Sequence, residues 1–211
     1  MQKIRIRYSK TGKAGYISNL DLMATMQRAF IRAGIKLKYS KGFNPHPYMS
    51  VALPLSVGSE SICELIDVAI DSDALPGKES IKLPEGIEIL DIYAPNRKFN
   101  EIAWIEILGK MYYTKQANAS KLERLDEFYK RKSIIITKRT KRGYKDLDIA
   151  PFIKDLELSL DKDIQMTAKI SAQNPTINAD DIISALEDDD KPERINIKRI
   201  DIYDTNMVVF T

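Results

Sequence analysis

The chain's only histidine, His46, sits between Pro45 and Pro47 in the stretch Tyr39-Ser-Lys-Gly-Phe-Asn-Pro-His-Pro-Tyr-Met-Ser-Val-Ala-Leu-Pro54. Proline fixes φ on both sides of the imidazole, and Pro47 also pushes His46 out of the helical region, so a stiff, extended and exposed segment is predicted. It would present Phe43, Asn44 and His46 in a set geometry after a Gly-Phe-Asn turn. Imidazole titrates near neutral pH, so His46 could serve as general acid or base, with Lys41, Tyr39 or Tyr48 stabilising charge in a transition state. Those are the parts of a metal-independent RNA endonuclease acting through a ribose 2′-hydroxyl. His46 has no second histidine to share that work. The bland alternative is a loop histidine that fixes a backbone turn. Metal chemistry has less support: Asp21, Glu64 and Asp67 form no recognisable ligand spacing. The single cysteine, Cys63, excludes an internal disulfide or a cysteine cluster and reads as buried filler, so no cofactor is expected.

Charge separates strongly along the chain. Residues 1–50 hold ten lysines and arginines against one acid, Asp21, a net +9 within a whole-chain charge of +3, which leaves −6 for the rest. A second basic run, Lys130 to Lys145, contains no acid, and its opposite is Glu187-Asp-Asp-Asp190. Such asymmetry is the electrostatic footprint of a polyanion-binding protein, with a solvated basic face as the plain alternative.

The elements that must hold these residues follow from periodicity. At 211 residues and 44% hydrophobic content, one large domain or two small ones can bury a core. No apolar run spans a membrane and no secretory signal is evident, so a cytoplasmic protein is expected. Lys3-Ile-Arg-Ile-Arg-Tyr8 alternates as a strand with one wholly basic face, and Ala14 to Ile17 is expected to continue or pair with it. Ser18-Asn-Leu-Asp21 is a capping box that opens a helix ending at Gly34, with Arg28 and Arg32 one turn apart. Further strands are expected at 35–39, 49–57, 62–70 and 86–93, with at most a brief helix between 71 and 85. From 96 the pattern restarts: strand 102–109, helix 120–131, strand 133–137 running into a basic hairpin at 138–144, paired strands 156–160 and 164–170, helix 178–187 and strand 195–203. The expected fold class is α+β: tandem ferredoxin-like units, 1–95 and 96–211, with antiparallel sheets and helices packed on one face.

Several of these pieces carry a resemblance. Tyr8-Ser-Lys, Tyr16-Ile-Ser-Asn-Leu-Asp-Leu-Met23, Arg28-Ala, Arg32-Ala, Tyr39-Ser-Lys-Gly-Phe-Asn-Pro-His-Pro47 and Leu53-Pro-Leu-Ser-Val-Gly58 resemble the radical SAM-linked protein family, a domain of unknown function. The second half matches more loosely, through Asp148-Ile-Ala-Pro151 and Arg199-Ile-Asp-Ile-Tyr203. The resemblance implies a domain that stands alone beside, or fused behind, a radical SAM protein with a cobalamin-binding region, often in gene neighbourhoods concerned with RNA and ribosomes. Asn19 stands where the family's Ser-His-Leu-Asp has histidine, which removes any histidine pair. The chain also lacks the cysteine cluster of an iron–sulfur centre.

Three functions follow as expectations. The first is a non-catalytic accessory protein that binds RNA of the transfer or ribosomal class and presents it to a radical SAM enzyme; the others are a protein adaptor without RNA and the His46 nuclease. Contacts are expected from Arg5, Arg7, Arg28, Arg32, Lys36, Lys38 and Lys41, from Phe43, Asn44, His46 and Tyr48 in the loop, and from Arg139 and Arg142. Cations would neutralise phosphates while exposed rings stack on bases.

Overall fold

In the computed structural model, residues 2–72, 74–114, 117–140 and 143–211 are described. They form an α+β protein of antiparallel strands and three α-helices, divided into two compact units, Met1–Glu101 with Thr211, and Ile102–Phe210. Among the described residues no helix is long and apolar enough to cross a membrane.

The first unit is built on β1 (Gln2–Lys10), α1 (Asn19–Arg32), β2 (Met49–Val51), β3 (Glu60–Ile70) and β4 (Ile87–Tyr93). Its strand order is β4-β1-β3-β2, every pair antiparallel. The alternation in β1 turns Ile4, Ile6 and Tyr8 toward α1, where Leu22, Met26, Ala29 and Phe30 meet them over Ile66, Val68 and Ile70. Each such fully buried side chain contributes roughly 1.5–3 kcal/mol relative to exposure. The helix starts at the expected N-cap, with the Ser18 hydroxyl accepting the Asp21 N–H at 3.1 Å, but the Asp21 carboxylate receives that hydroxyl at 2.8 Å where a capping box would have it accept the Ser18 backbone N–H.

Three local expectations are corrected. Residues 14–17 do not extend or pair with β1; Gly12–Tyr16 is a 3₁₀ turn, entered through Gly12 at φ +58° and held where the buried Lys10 ammonium donates to the Ile17 carbonyl at 2.8 Å. Residues 35–39 form no strand but two isolated bridges, Leu37 to Ile70 and Tyr39 to Pro47. Toward β3 the segment places Lys38 N–H on Ala69 and Lys36 C=O under Asp71 N–H, before the chain leaves for the loop. The strand expected over 49–57 stops at Val51, because after the Ala52 N–H bond to Leu65 the chain reaches Pro54, which has no N–H to give. Between 71 and 85 the only helical turn described is the short Lys78–Ser80.

The second unit contains β5 (Ile102–Tyr112), α2 (Ala119–Tyr129), β6 (Ile135–Thr140), β7 (Gly143–Asp148), β8 (Ile153–Leu160), β9 (Ile164–Ser171), α3 (Ala179–Ser184) and β10 (Arg194–Asp204). Its main strands lie in the order β10-β5-β9-β8, again antiparallel, and β6-β7 is a separate hairpin. Buried Ile105, Ile107 and Met111 alternate with half-buried Trp104, Glu106 and Leu108 along β5. Helix α3 ends at Ser184 rather than 187, since Glu187 to Asp190 would stack negative charge on the negative end of the helix dipole. That acidic segment instead turns toward α2, where Arg124 holds Asp190 at 2.8 Å.

Candidate nucleic-acid interface

The loop at 38–48 projects from the end of β3 as a closed finger. Its base is anchored by backbone bonds from Lys38 to Ala69, Tyr48 to Lys38 and Ala69 to Tyr48, at 2.9 Å each. Its neck is closed by the Ser40 N–H on the His46 carbonyl at 2.8 Å and by the His46 N–H on the Ser40 hydroxyl at 3.0 Å. Beyond the neck every residue from Lys41 to His46 is exposed, and Gly42 at φ +125° makes the bend that sends the ring of Phe43 wholly into solvent. Tyr39 and Tyr48 flank the neck with half their surface open. Thus Phe43, Asn44, His46, Lys41 and Tyr48 are brought together on one projection closed at its neck.

His46 contributes its backbone to that structure, and its imidazole has no hydrogen-bond partner among the described residues. No group of three His, Cys, Asp or Glu side chains that could hold a metal occurs among those residues.

The cations divide into free and engaged. Arg28 and Lys41 are exposed and make no ion pair among the described residues, whereas exposed Arg32 donates to the Lys82 carbonyl at 3.2 Å. Gln27 on α1 donates to the Tyr39 hydroxyl at 3.4 Å, which links the helix that carries Arg28 to the neck of the finger. Lys38 pairs with Asp71 at 2.9 Å, and its hydrogen bond and charge, with Lys36 nearby, hold the Asp71 carboxyl below its ordinary range. Lys36 is exposed at the finger's base, beside a cleft of about 390 Å³.

Arg5 is a correction. The strand's second face is not an open basic surface: Arg5 is 0% exposed, its guanidinium donating to Asp67 at 2.7 and 3.1 Å and to the Arg97 carbonyl at 2.8 Å, with the Phe99 ring 4.4 Å away. It is an internal ion-pair residue and does not reach a ligand at the surface. Lys3 shares Asp67 at 2.7 Å, and Arg7 is half-buried. In the second unit Arg139 is exposed on the β6-β7 hairpin opposite exposed Tyr144, but neighbouring Lys138 is committed to Asp181 at 2.7 Å. Arg142 lies outside the described residues.

The sequence did not point to the apolar outer surface of α1 and the turn before it, where Tyr16, Leu20 and Ile31 are exposed. Leu20 and Ile31 fall at helical spacing with Met23, Gln27 and Phe30, yet their exposure beside buried Leu22 and Phe30 shows that the core side lies on another part of the helix.

A family model described as an uncharacterized protein conserved in bacteria (DUF2344) matches residues 3–179. No curated protein matches the chain.

Proposed function

The chain belongs to that bacterial family, whose description leaves activity open, and from that premise we propose that it is a non-catalytic accessory protein that binds RNA and presents it to a partner enzyme. The observation that carries this is the finger: a projection closed at its neck, with a fully exposed aromatic ring, a lysine that makes no ion pair among the described residues and an arginine-bearing helix tied to its neck. Stacking on an aromatic face suits an unpaired base of any type, while Lys41 and Arg28 neutralise phosphates.

The strand orders β4-β1-β3-β2 and β10-β5-β9-β8 support reading each unit as ferredoxin-like, with β6-β7 inserted in the second. In that scheme a 3₁₀ turn replaces the first unit's second helix. The motifs of the first 58 residues, by their resemblance to radical SAM-linked proteins, support a radical SAM enzyme with a cobalamin-binding region as the partner, in the cytoplasm, and transfer or ribosomal RNA as the cargo. The ring of Phe43, exposed at the tip beside His46, favours recognition over cleavage for the loop.

The test is binding of purified protein to fluorescent transfer RNA across a salt titration, comparing wild type with Arg28→Ala/Lys41→Ala and with Phe43→Ala. We expect log affinity to fall linearly with log salt, the double variant to flatten the slope by about 2, and Phe43→Ala to weaken binding by about tenfold with the slope unchanged. Absence of binding at low salt sinks the RNA proposal and leaves a protein adaptor. Cleavage that survives chelator and disappears in His46→Ala makes the chain a nuclease instead.

A further inference from the structure

Independently of any nucleic acid, we infer that the outer face of α1 is a self-complementary surface that joins two copies of this chain as antiparallel helices. Leu20 is 81% exposed and Ile31 52% exposed, on a helix whose opposite side is buried. At 100° per residue their spacing brings both onto one line, with Ala24 and Gln27 between them. Isolated exposed leucines are ordinary, but two at opposite ends of one helical line form a seam.

Charge selects the occupant. Along one flank of that seam run Asp21 at the N-terminal end and Arg28 and Arg32 toward the C-terminal end, all exposed. A second copy related by a two-fold axis between Ala24 and Gln27 places Leu20 against Ile31, Ala24 against Gln27 and Asp21 against Arg32, and the symmetry makes each contact twice. A parallel copy, related by an axis along the helices, would set the two charged flanks on opposite sides of the seam, where Asp21 and Arg32 could not meet. Asp21 retains its cap, because the Ser18 hydroxyl engages only one carboxylate oxygen, and Arg32 has donors beyond the one that meets Lys82. Arg28 falls opposite Thr25 and remains open to solvent. A helix of 14 residues is about 21 Å long, so this contact lies at the small end of specific interfaces and gives a concentration-dependent dimer.

Sedimentation velocity on the full chain without nucleic acid, from low to high micromolar concentration, tests this. The mass is expected to rise from 24.1 kDa toward twice that value. Leu20→Asp/Ile31→Asp should remain monomeric with an unchanged melting temperature, since neither side chain supports the core. Asp21→Arg and Arg32→Asp should each weaken dimerisation by about tenfold, while the exchange Asp21→Arg/Arg32→Asp restores it to within about threefold. As an independent readout, Leu20→Cys/Ile31→Cys should form an interchain disulfide under mild oxidation. A wild type that stays monomeric throughout, a dimer indifferent to the aspartate pair, or an exchange that fails to restore association overturns the proposal.

Discussion

Asp67 shows how a single side chain can redirect a basic strand. Lys3 and Arg5 both reach it at 2.7 Å, and Arg5 and Asp67 are almost wholly enclosed. Removing a buried carboxylate leaves its arginine uncompensated in a low-dielectric site, so Asp67→Ala should lower stability by about 3–5 kcal/mol. Urea denaturation measures this, and a loss below about 1 kcal/mol would show that water reaches Arg5 on its own. Alternation correctly set Arg5 on the face opposite Ile4 and Ile6. What it could not supply was the carboxylate 62 residues away that closes that face. Composition marks a residue as charged, whereas its exposure depends on what the rest of the chain lays over it.

Glycines at the element boundaries separate conformational from steric demands. Gly34 follows the Ala33 cap of α1 at φ +76° with nothing within 4 Å of a would-be Cβ. Gly86, entering β4 at φ +88°, would bring a Cβ to 2.4 Å from the Thr11 carbonyl oxygen, next to the backbone bond from Thr11 N–H to Gly86. Gly34→Ala should therefore cost about 1 kcal/mol of backbone strain, and Gly86→Ala clearly more, as its carbon must displace backbone. Equal shifts in the denaturation midpoints of the two variants would refute the distinction. The limits of α1 were legible in sequence because an N-cap serine and a C′ glycine are local devices. The same holds for β3 and β4, which read as apolar runs bounded by turn residues. Residues 35–39 also alternate, yet remain a pair of bridges, since a strand needs a partner along its whole length and β3 offers only its last residues.

For the molecule as a whole, ionisation sets limits on both sides of neutrality. Hydrogen bonds from Ile134 and Ser133 hold the Asp148 carboxyl below its ordinary value, and Arg124 does the same for Asp190. Their folded values lie below the unfolded 3.8, so the stability they contribute is present above that pH and is lost as pH falls through the folded values. On the alkaline side, burial pushes the Tyr113 hydroxyl up to about 12 from 10.0 and raises Tyr129 further in the same direction. A raised folded value contributes stability that is whole below pH 10.0 and disappears as pH rises through about 12. Melting temperature should therefore fall below about pH 3.8 and again between pH 10.0 and about 12, with tyrosinate absorbance at the upper edge lagging behind that of the unfolded chain. Full ionisation of all tyrosines near pH 10.0 in the folded protein would contradict this.

By itself the sequence determined the α+β class, the helix starts, most of the strands and the exposure of the Pro-His segment, because these follow from short-range periodicity, capping and fixed φ angles. Only the tertiary structure decided which cations face water. Arg5 is enclosed through Asp67, Lys38 is engaged by Asp71, and Arg28 and Lys41 remain open. It also decided that Phe43 stands clear at the tip of a finger tied through Tyr39 to α1, and that Leu20 and Ile31 are left outside the core. These outcomes rest on partners distant in sequence, and an ion pair or a buried face exists only once the chain has brought both halves together.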